Sequence, residues 1–172
     1  MFQDEARFGR MNIPRRCWAP HGCRPTVPCQ LVREYTFLFA AVCPDDGALV
    51  SLLLPEVGTP FMSYFLSEVS RRYPRENILM VMDRAGWHIA RSLIVPDNIR
   101  FIWLPPYSPE CNPVEHLWDE VREKWFGNRV FLSLDAVENT LVDAMVHLEN
   151  NPEQVKQSCA FPWAVNISLN AT

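Results

Sequence analysis

The chain has 172 residues, 48% hydrophobic and 21% charged, with a formal net charge of −4; this profile fits one globular domain with a sizeable core and excludes both a disordered chain and a uniformly basic nucleic-acid coat. No apolar run approaches the roughly 18 residues a membrane span needs, and the charged start Met1-Phe2-Gln3-Asp4-Glu5 lacks the apolar segment of a signal peptide. The expectation is a cytoplasmic protein whose six cysteines are free thiols.

In chain order, residues 2–5 read as a short strand. Residues 6–33, rich in Arg, Pro and Gly, read as an extended loop or irregular hairpin. Tyr35 to Cys43 is aromatic and β-branched enough for a buried strand, Pro44-Asp45-Asp46-Gly47 is a turn, and Ala48 to Leu54 returns as its hairpin partner. Thr59-Pro60 opens a helix, with Thr59 as the expected cap and Phe61, Tyr64, Phe65, Leu66 and Val69 at helical spacing; Pro74 closes it. Ile78 to Met82 is a continuous apolar run, as in a strand covered on both faces, and Asp83 follows it. His88 to Leu93 is expected as a short helix and Ile99 to Leu104 as the next strand. A rigid Pro105–Pro109 connector leads to a helix over Pro113–Phe126, with Asn112 as its cap and Gly127 as its stop. Leu134 to Leu148 is an amphipathic helix capped by Ser133, and Pro152 starts one more short helix. Two hairpin strands followed by alternating helices and strands predict an α/β fold, a mixed central sheet flanked by helices. The whole chain reads as a single domain, with a core over about residues 1–150 and a helical tail over 151–172.

Three acids stand at element ends that such a sheet brings together: Asp4 on the first strand, Asp83 after a buried strand, and Glu115 in the first turn of a helix. Each alone is a turn former or a helix-dipole partner. Together they describe a three-carboxylate pocket beyond the strand ends, where open α/β sheets place ligands. Oxygen ligands of this kind suit Mg²⁺, and paired divalent ions suit phosphoryl transfer. Glu5 alternates to the face opposite Asp4 and reads as a surface or loop-pairing residue rather than a ligand. His88 is either a packed, hydrogen-bonded residue or one that orients a water or phosphate. Asp119 reads as a solvent or salt-bridge residue. Residues 1–33 hold six arginines against two acids, so Arg7, Arg10, Arg15, Arg16 and Arg24 are candidates for DNA phosphate contacts. Trp18 among them either stacks on a base or plugs the loop onto the sheet. Cys17, His21, Cys23 and Cys29 crowd together but lack paired Cys-x-x-Cys knuckles, so no zinc is expected. Asn166-Ile167-Ser168 matches a glycosylation acceptor, which a cytoplasmic chain leaves unmodified.

The stretch Gln3-Asp4-Glu5 with Phe8 resembles the first acidic motif of DDE transposases of the mariner superfamily, especially those of the bacterial insertion-sequence-630 family. Val81-Met82-Asp83-Arg84-Ala85-Gly86-Trp87-His88 is similar to their second motif. The run from Leu104 through Pro105-Pro106-Tyr107-Ser108-Pro109 to Asn112-Pro113-Val114-Glu115, with Trp118 after it, is similar to the third and is the most specific of the three. The resemblance covers roughly residues 1–150. It implies an RNase H-like fold, with Asp4, Asp83 and Glu115 as catalytic metal ligands, two Mg²⁺ or Mn²⁺ ions, and His88 and Asn112 in supporting positions. It further implies cleavage at transposon ends, strand transfer into double-stranded target DNA at a TA dinucleotide, and a homodimer as the active form. Two departures stand out. Arg84 replaces an Asn common in the family, and the helix-turn-helix DNA-binding domain that precedes the first acid in relatives is absent, which points to an upstream partner polypeptide. The readings set against an active transposase are a catalytically incompetent fragment that only binds DNA or other subunits, another RNase H-like nuclease, and, more remotely, a zinc-binding module.

Overall fold

The protein is described by a computed structural model that covers residues 1–169, with side chains through Asn166. The Asn166-Ile167-Ser168 match and the last residues of the tail therefore lie partly or wholly outside the described residues.

Five strands form one sheet: β1 (Phe2–Met11), β2 (Leu31–Val42), β3 (Leu49–Leu54), β4 (Ile78–Met82) and β5 (Ile99–Trp103), in the order β3-β2-β1-β4-β5. β1, β2 and β3 are antiparallel neighbours, while β1–β4 and β4–β5 are parallel. Helix α1 (Thr59–Arg72) covers one face. Helices α2 (Val114–Lys124), α3 (Leu134–Glu149), α4 (Pro152–Cys159) and α5 (Pro162–Leu169) stand on the other side. The period-two alternation of β2 sorts its side chains: Leu38, Ala40 and Val42 enter the core with Trp118 and Leu141, whereas Phe39 and Ala41 enter the core with Phe65 and Met80. The sheet is thus buried on both faces, which explains why β4 reads as an unbroken apolar run.

The predicted mixed sheet with flanking helices is the fold observed, and several local expectations change. β1 is not a four-residue strand: it runs to Met11 and carries Arg7 and Arg10 as strand residues. Its outer half is specified by pairing with β2, Arg7 opposite Phe37 and Gly9 opposite Tyr35, a non-local signal absent from the periodicity of residues 6–11. Gly9 permits a close approach there, because a Cβ would meet the Glu34 carbonyl oxygen at 2.2 Å. The loop is correspondingly shorter, residues 12–30. Thr59 is the first helical residue rather than the cap; Gly58 occupies the cap position, and the Thr59 carbonyl accepts from the Ser63 hydroxyl. Residues 88–93 form turns and a bend, not a helix: the His88 and Leu93 N–H groups each reach back only three residues, to the Ala85 and Ala90 carbonyls. Ser133 caps α3 as expected, accepting from the Ala136 N–H.

Candidate active site

β1, β4 and α2 meet at one end of the sheet. Asp4 lies on β1 opposite Ala40, Asp83 directly follows β4, and Glu115 is in the first turn of α2. All three line one cavity of about 390 Å³, together with Arg84, Tyr107 and Asn112. Among the described residues no three His, Cys, Asp or Glu side chains stand as a ready metal-binding cluster. The three acids share one cavity wall rather than a closed cluster. All-oxygen donors on a cavity wall nevertheless fit a hard divalent cation that keeps several waters.

Each acid is held differently. Asp4 accepts the indole N–H of Trp118 at 2.8 Å. Trp118, 1% exposed, packs edge-on against Phe8 at 6.3 Å, so the donor is fixed by the core. Burial pushes the Asp4 carboxyl up to about 7; the Trp118 hydrogen bond opposes this, and the charges of Glu115 and Glu5 add to it. Such a group sheds its proton when a cation arrives. Asp83 is more open, its side chain 59% exposed. Its Oδ1 accepts the Ala85 N–H at 3.0 Å and faces His88 Nδ1 at 2.8 Å. Glu115 sits half-buried at the helix start, where its backbone N–H reaches the Asn112 carbonyl at 3.2 Å.

His88 is 2% exposed and bridges two carboxylates: Nδ1 to Asp83, and Nε2 to Glu5 Oε1 at 2.8 Å. Burial alone would lower its pKa, but the hydrogen bond and charge of Glu5, with Asp83, hold it raised. With an oxygen acceptor at each nitrogen, the imidazole is best satisfied with both protonated. Glu5 does take the face opposite Asp4, yet it is no surface residue: its side chain is 7% exposed and also accepts the Trp87 indole N–H at 3.3 Å. Pro113, not Asn112 as expected, takes the cap position of α2; Asn112 stands one residue earlier. Its Oδ1 accepts the Val114 N–H at 3.2 Å, and its Nδ2 donates to the Gln3 carbonyl at 3.0 Å, joining α2 to β1 beside Asp4. Tyr107, fully exposed at the cavity, holds a left-handed φ of 56°, an uncommon conformation for an aromatic residue.

The arginine candidates divide. Arg10 binds Glu34 at 2.8 Å and the Phe131 carbonyl, and Arg15 binds Glu123 at 3.0 Å and nears Asp119 at 3.8 Å. Arg7 is exposed and lies over the Tyr35 ring at 4.4 Å. Arg16, Trp18 and Arg24 are exposed on the 12–30 loop. Trp18 does not plug the loop onto the sheet; its exposure is complete. Cys17, Cys23 and Cys29 are exposed free thiols. Sequence reasoning missed the Glu5–His88 and Trp118–Asp4 bonds. The spacing of Asp83 and His88 and the Trp after the third motif were the available signals, but neither names a partner on β1.

Residues 1–138 match the family described as DDE superfamily endonuclease. A protein of Sinorhizobium fredii (strain NBRC 101917 / NGR234), "Uncharacterized protein y4pE/y4sA", is 36% identical over 131 residues, 76% of this chain and 97% of that protein. The fold is similar to the mariner Mos1 paired-end complex with Mg: TM-score 0.60, 17% identity, 96% of this chain and 54% of that one. It is also similar to the catalytic domain of Mos1 mariner transposase, with a TM-score of 0.58 at 14% identity over 96% of this chain and 80% of that domain. The chain thus spans about half the length of the Mos1 protein in its complex. Among the described residues, no helix is long and apolar enough to cross a membrane.

Proposed function

The chain belongs to the DDE superfamily of endonucleases, and from that premise we propose that it is the catalytic domain of a DNA transposase, acting on the phosphodiester backbone at transposon ends and transferring the cut strand into target DNA. The observation that carries this reading is the single cavity lined by Asp4, Asp83 and Glu115.

Those three residues would hold two Mg²⁺ or Mn²⁺ ions. When bound, such a pair activates the attacking oxygen and stabilises the leaving one. The remaining work belongs to the chain. Trp118 and His88 fix the rotamers of Asp4 and Asp83, so the carboxylates meet the cation without paying for ordering at that moment. Asn112 ties the start of α2 to β1, which keeps Glu115 in register with Asp4. The substrates are transposon-end duplex and target DNA, and the active species is a homodimer. Sequence reading requires an element delivered into a groove, a task for a helix-turn-helix unit in cis or on a partner polypeptide. The compartment is the cytoplasm.

The test is incubation of the chain with end-containing duplex in Mg²⁺ and in EDTA. Cleavage in Mg²⁺ alone is expected, and Asp83→Asn, which keeps shape but loses charge, abolishes it. Unchanged cleavage by that variant removes Asp83 from the mechanism.

A further inference from the structure

A second cleft, of about 400 Å³, opens between β1 and α2, and Arg7, Tyr35, Asp119, Arg122, Phe126 and Arg129 are among its lining residues. β1 has β4 beside it only near its start, at Phe2 opposite Val81, and β4 ends at Met82. Towards Met11, β1 therefore has a strand partner, β2, on one side only. The cleft follows that stretch of β1.

Its charge is arranged on aromatic supports. The Arg122 guanidinium lies 5.3 Å from the centre of the buried Phe8 ring, that of Arg129 lies 5.2 Å from Phe131, and that of Arg7 lies 4.4 Å from Tyr35. A ring beneath it restricts each guanidinium, and Arg129 also donates to the Trp125 carbonyl at 2.8 Å. Arg15 at the cleft is already neutralised by Glu123. Among the described residues Arg7 and Arg129 have no carboxylate within ion-pair distance, and Arg122 has only Asp119 at 4.0 Å. Three cations against one carboxylate, in a chain of net charge −4, mark a site for a polyanion.

Its position says which one. Arg122 follows Glu115 on α2 by about two helical turns, so it shares that residue's face about 10 Å further along. At 3.4 Å of rise per nucleotide, that is roughly three nucleotides of a strand. We propose that this cleft binds the sugar-phosphate backbone of the nucleic-acid strand that leaves the acid cavity, with Arg7, Arg122 and Arg129 contacting its phosphates irrespective of sequence. The inference rests on the nucleic-acid reading above. An acidic peptide added to the free edge of β1 is the competing occupant.

The experiment is a fluorescence-anisotropy titration of labelled duplex DNA in EDTA at several salt concentrations, using the full chain carrying Asp83→Asn. Replacing Arg7, Arg122 and Arg129 together by Gln is expected to weaken binding at least tenfold and to lower the slope of log affinity against log salt by about two to three. Replacing all three by Lys keeps the charge but loses the guanidinium fork, so it restores the slope; a merely structural role would not follow that order. Arg71→Gln, remote on α1, leaves both quantities unchanged. An unaltered slope in the folded triple Gln variant overturns the proposal, as does tighter binding of polyglutamate than of DNA. Binding is read without metal and without turnover, so a chain that fails to cleave DNA sinks the nuclease reading and leaves this measurement to decide the cleft.

Discussion

At His88 the carboxylates of Glu5, on β1, and Asp83, just after β4, meet one buried imidazole, and the consequences of removing it follow from what is left behind. His88→Ala strands Glu5, 7% exposed, with only the longer Trp87 contact. An unsatisfied buried polar group costs about 1–3 kcal/mol and a charge costs more. The expected outcome is a clear fall in melting temperature together with at least a tenfold loss of cleavage, since Asp83 loses its tether. Glu5→Gln keeps an acceptor oxygen for the ring and is milder on both counts. A His88→Ala variant with wild-type melting and wild-type cleavage would show that the bridge matters to neither. Gln3 presents the opposite case. Its side chain is 1% exposed, and neither Nε2 nor Oε1 has a partner in the structure. Nothing in the surrounding packing explains this amide. Burial without hydrogen bonds is unfavourable, so Gln3→Met, of similar volume, is expected to raise stability by about 1 kcal/mol, read by urea denaturation. A fall instead would mean that the amide has a partner in solution.

Among the elements, the start of α2 is tied to β1 by one side chain, that of Asn112. Asn112→Ala removes the bond to Val114 and the bond to Gln3 at once, for an expected loss of about 1–3 kcal/mol and reduced cleavage as Glu115 loosens relative to Asp4. Wild-type cleavage in a destabilised Asn112→Ala chain would separate the anchor from the chemistry. The end of α1 supplies a pH dependence. Hydrogen bonds from Arg71 and Arg72 hold the Glu68 carboxyl down at about 2, from an ordinary 4.5. A depressed carboxylate stabilises the fold fully above its unfolded pKa and loses that contribution as pH falls through its folded one. The difference in stability between the wild type and Glu68→Gln is therefore expected to be largest near neutrality and to vanish between pH 4.5 and about 2. Exposure of Arg71, 72% at its side chain, keeps the difference small. A gap that persists at the acid end would assign the effect to packing. The sequence was readable at this scale wherever the determinant was local. Ile78–Met82, the Ser133 cap and the turn after Cys43 were all legible from adjacent residues. The outer half of β1 was not, because its strand character comes from β2, more than twenty residues away. Glu5 was read correctly for its face and, of its two alternatives, pairs with a loop rather than lying at the surface: alternation gives direction, but only the path of the chain after β4 brings His88 over it.

For the molecule as a whole, net charge concealed what charge distribution announced. A formal −4 says little about where a polyanion could sit, whereas Arg7 of β1, Arg15 of the loop, Arg122 of α2 and Arg129 after it line one cleft. The family motifs placed three acids in one cavity, yet they could not show which arginines were already paired within the protein. The long 12–30 loop offers a test of how the whole holds together. Arg16 is exposed on it and is followed by Cys17, whereas Arg24 is followed by Pro25, which protects that bond from trypsin. Brief trypsin treatment is expected to cut after Arg16, detaching β1, with Asp4, from the rest of the covalent chain. β1 is the central strand, its Phe2 and Phe8 are 2% and 4% exposed, and it pairs with β2 along its length. The short fragment should therefore co-elute with the remainder in gel filtration and separate only under denaturing conditions. Hydrogen bonds between Arg15 and Asn128, at 2.8 and 3.1 Å, help retain its far end. If the loop also contacts DNA through Arg16 and Trp18, saturating duplex should slow the cut at low salt and cease to do so at high salt, as screening predicts. Release of the peptide from the native protein would mean that covalent continuity, rather than burial and the β1–β2 ladder, keeps Asp4 at the cavity; an unchanged cutting rate with DNA present would take the loop out of the interface.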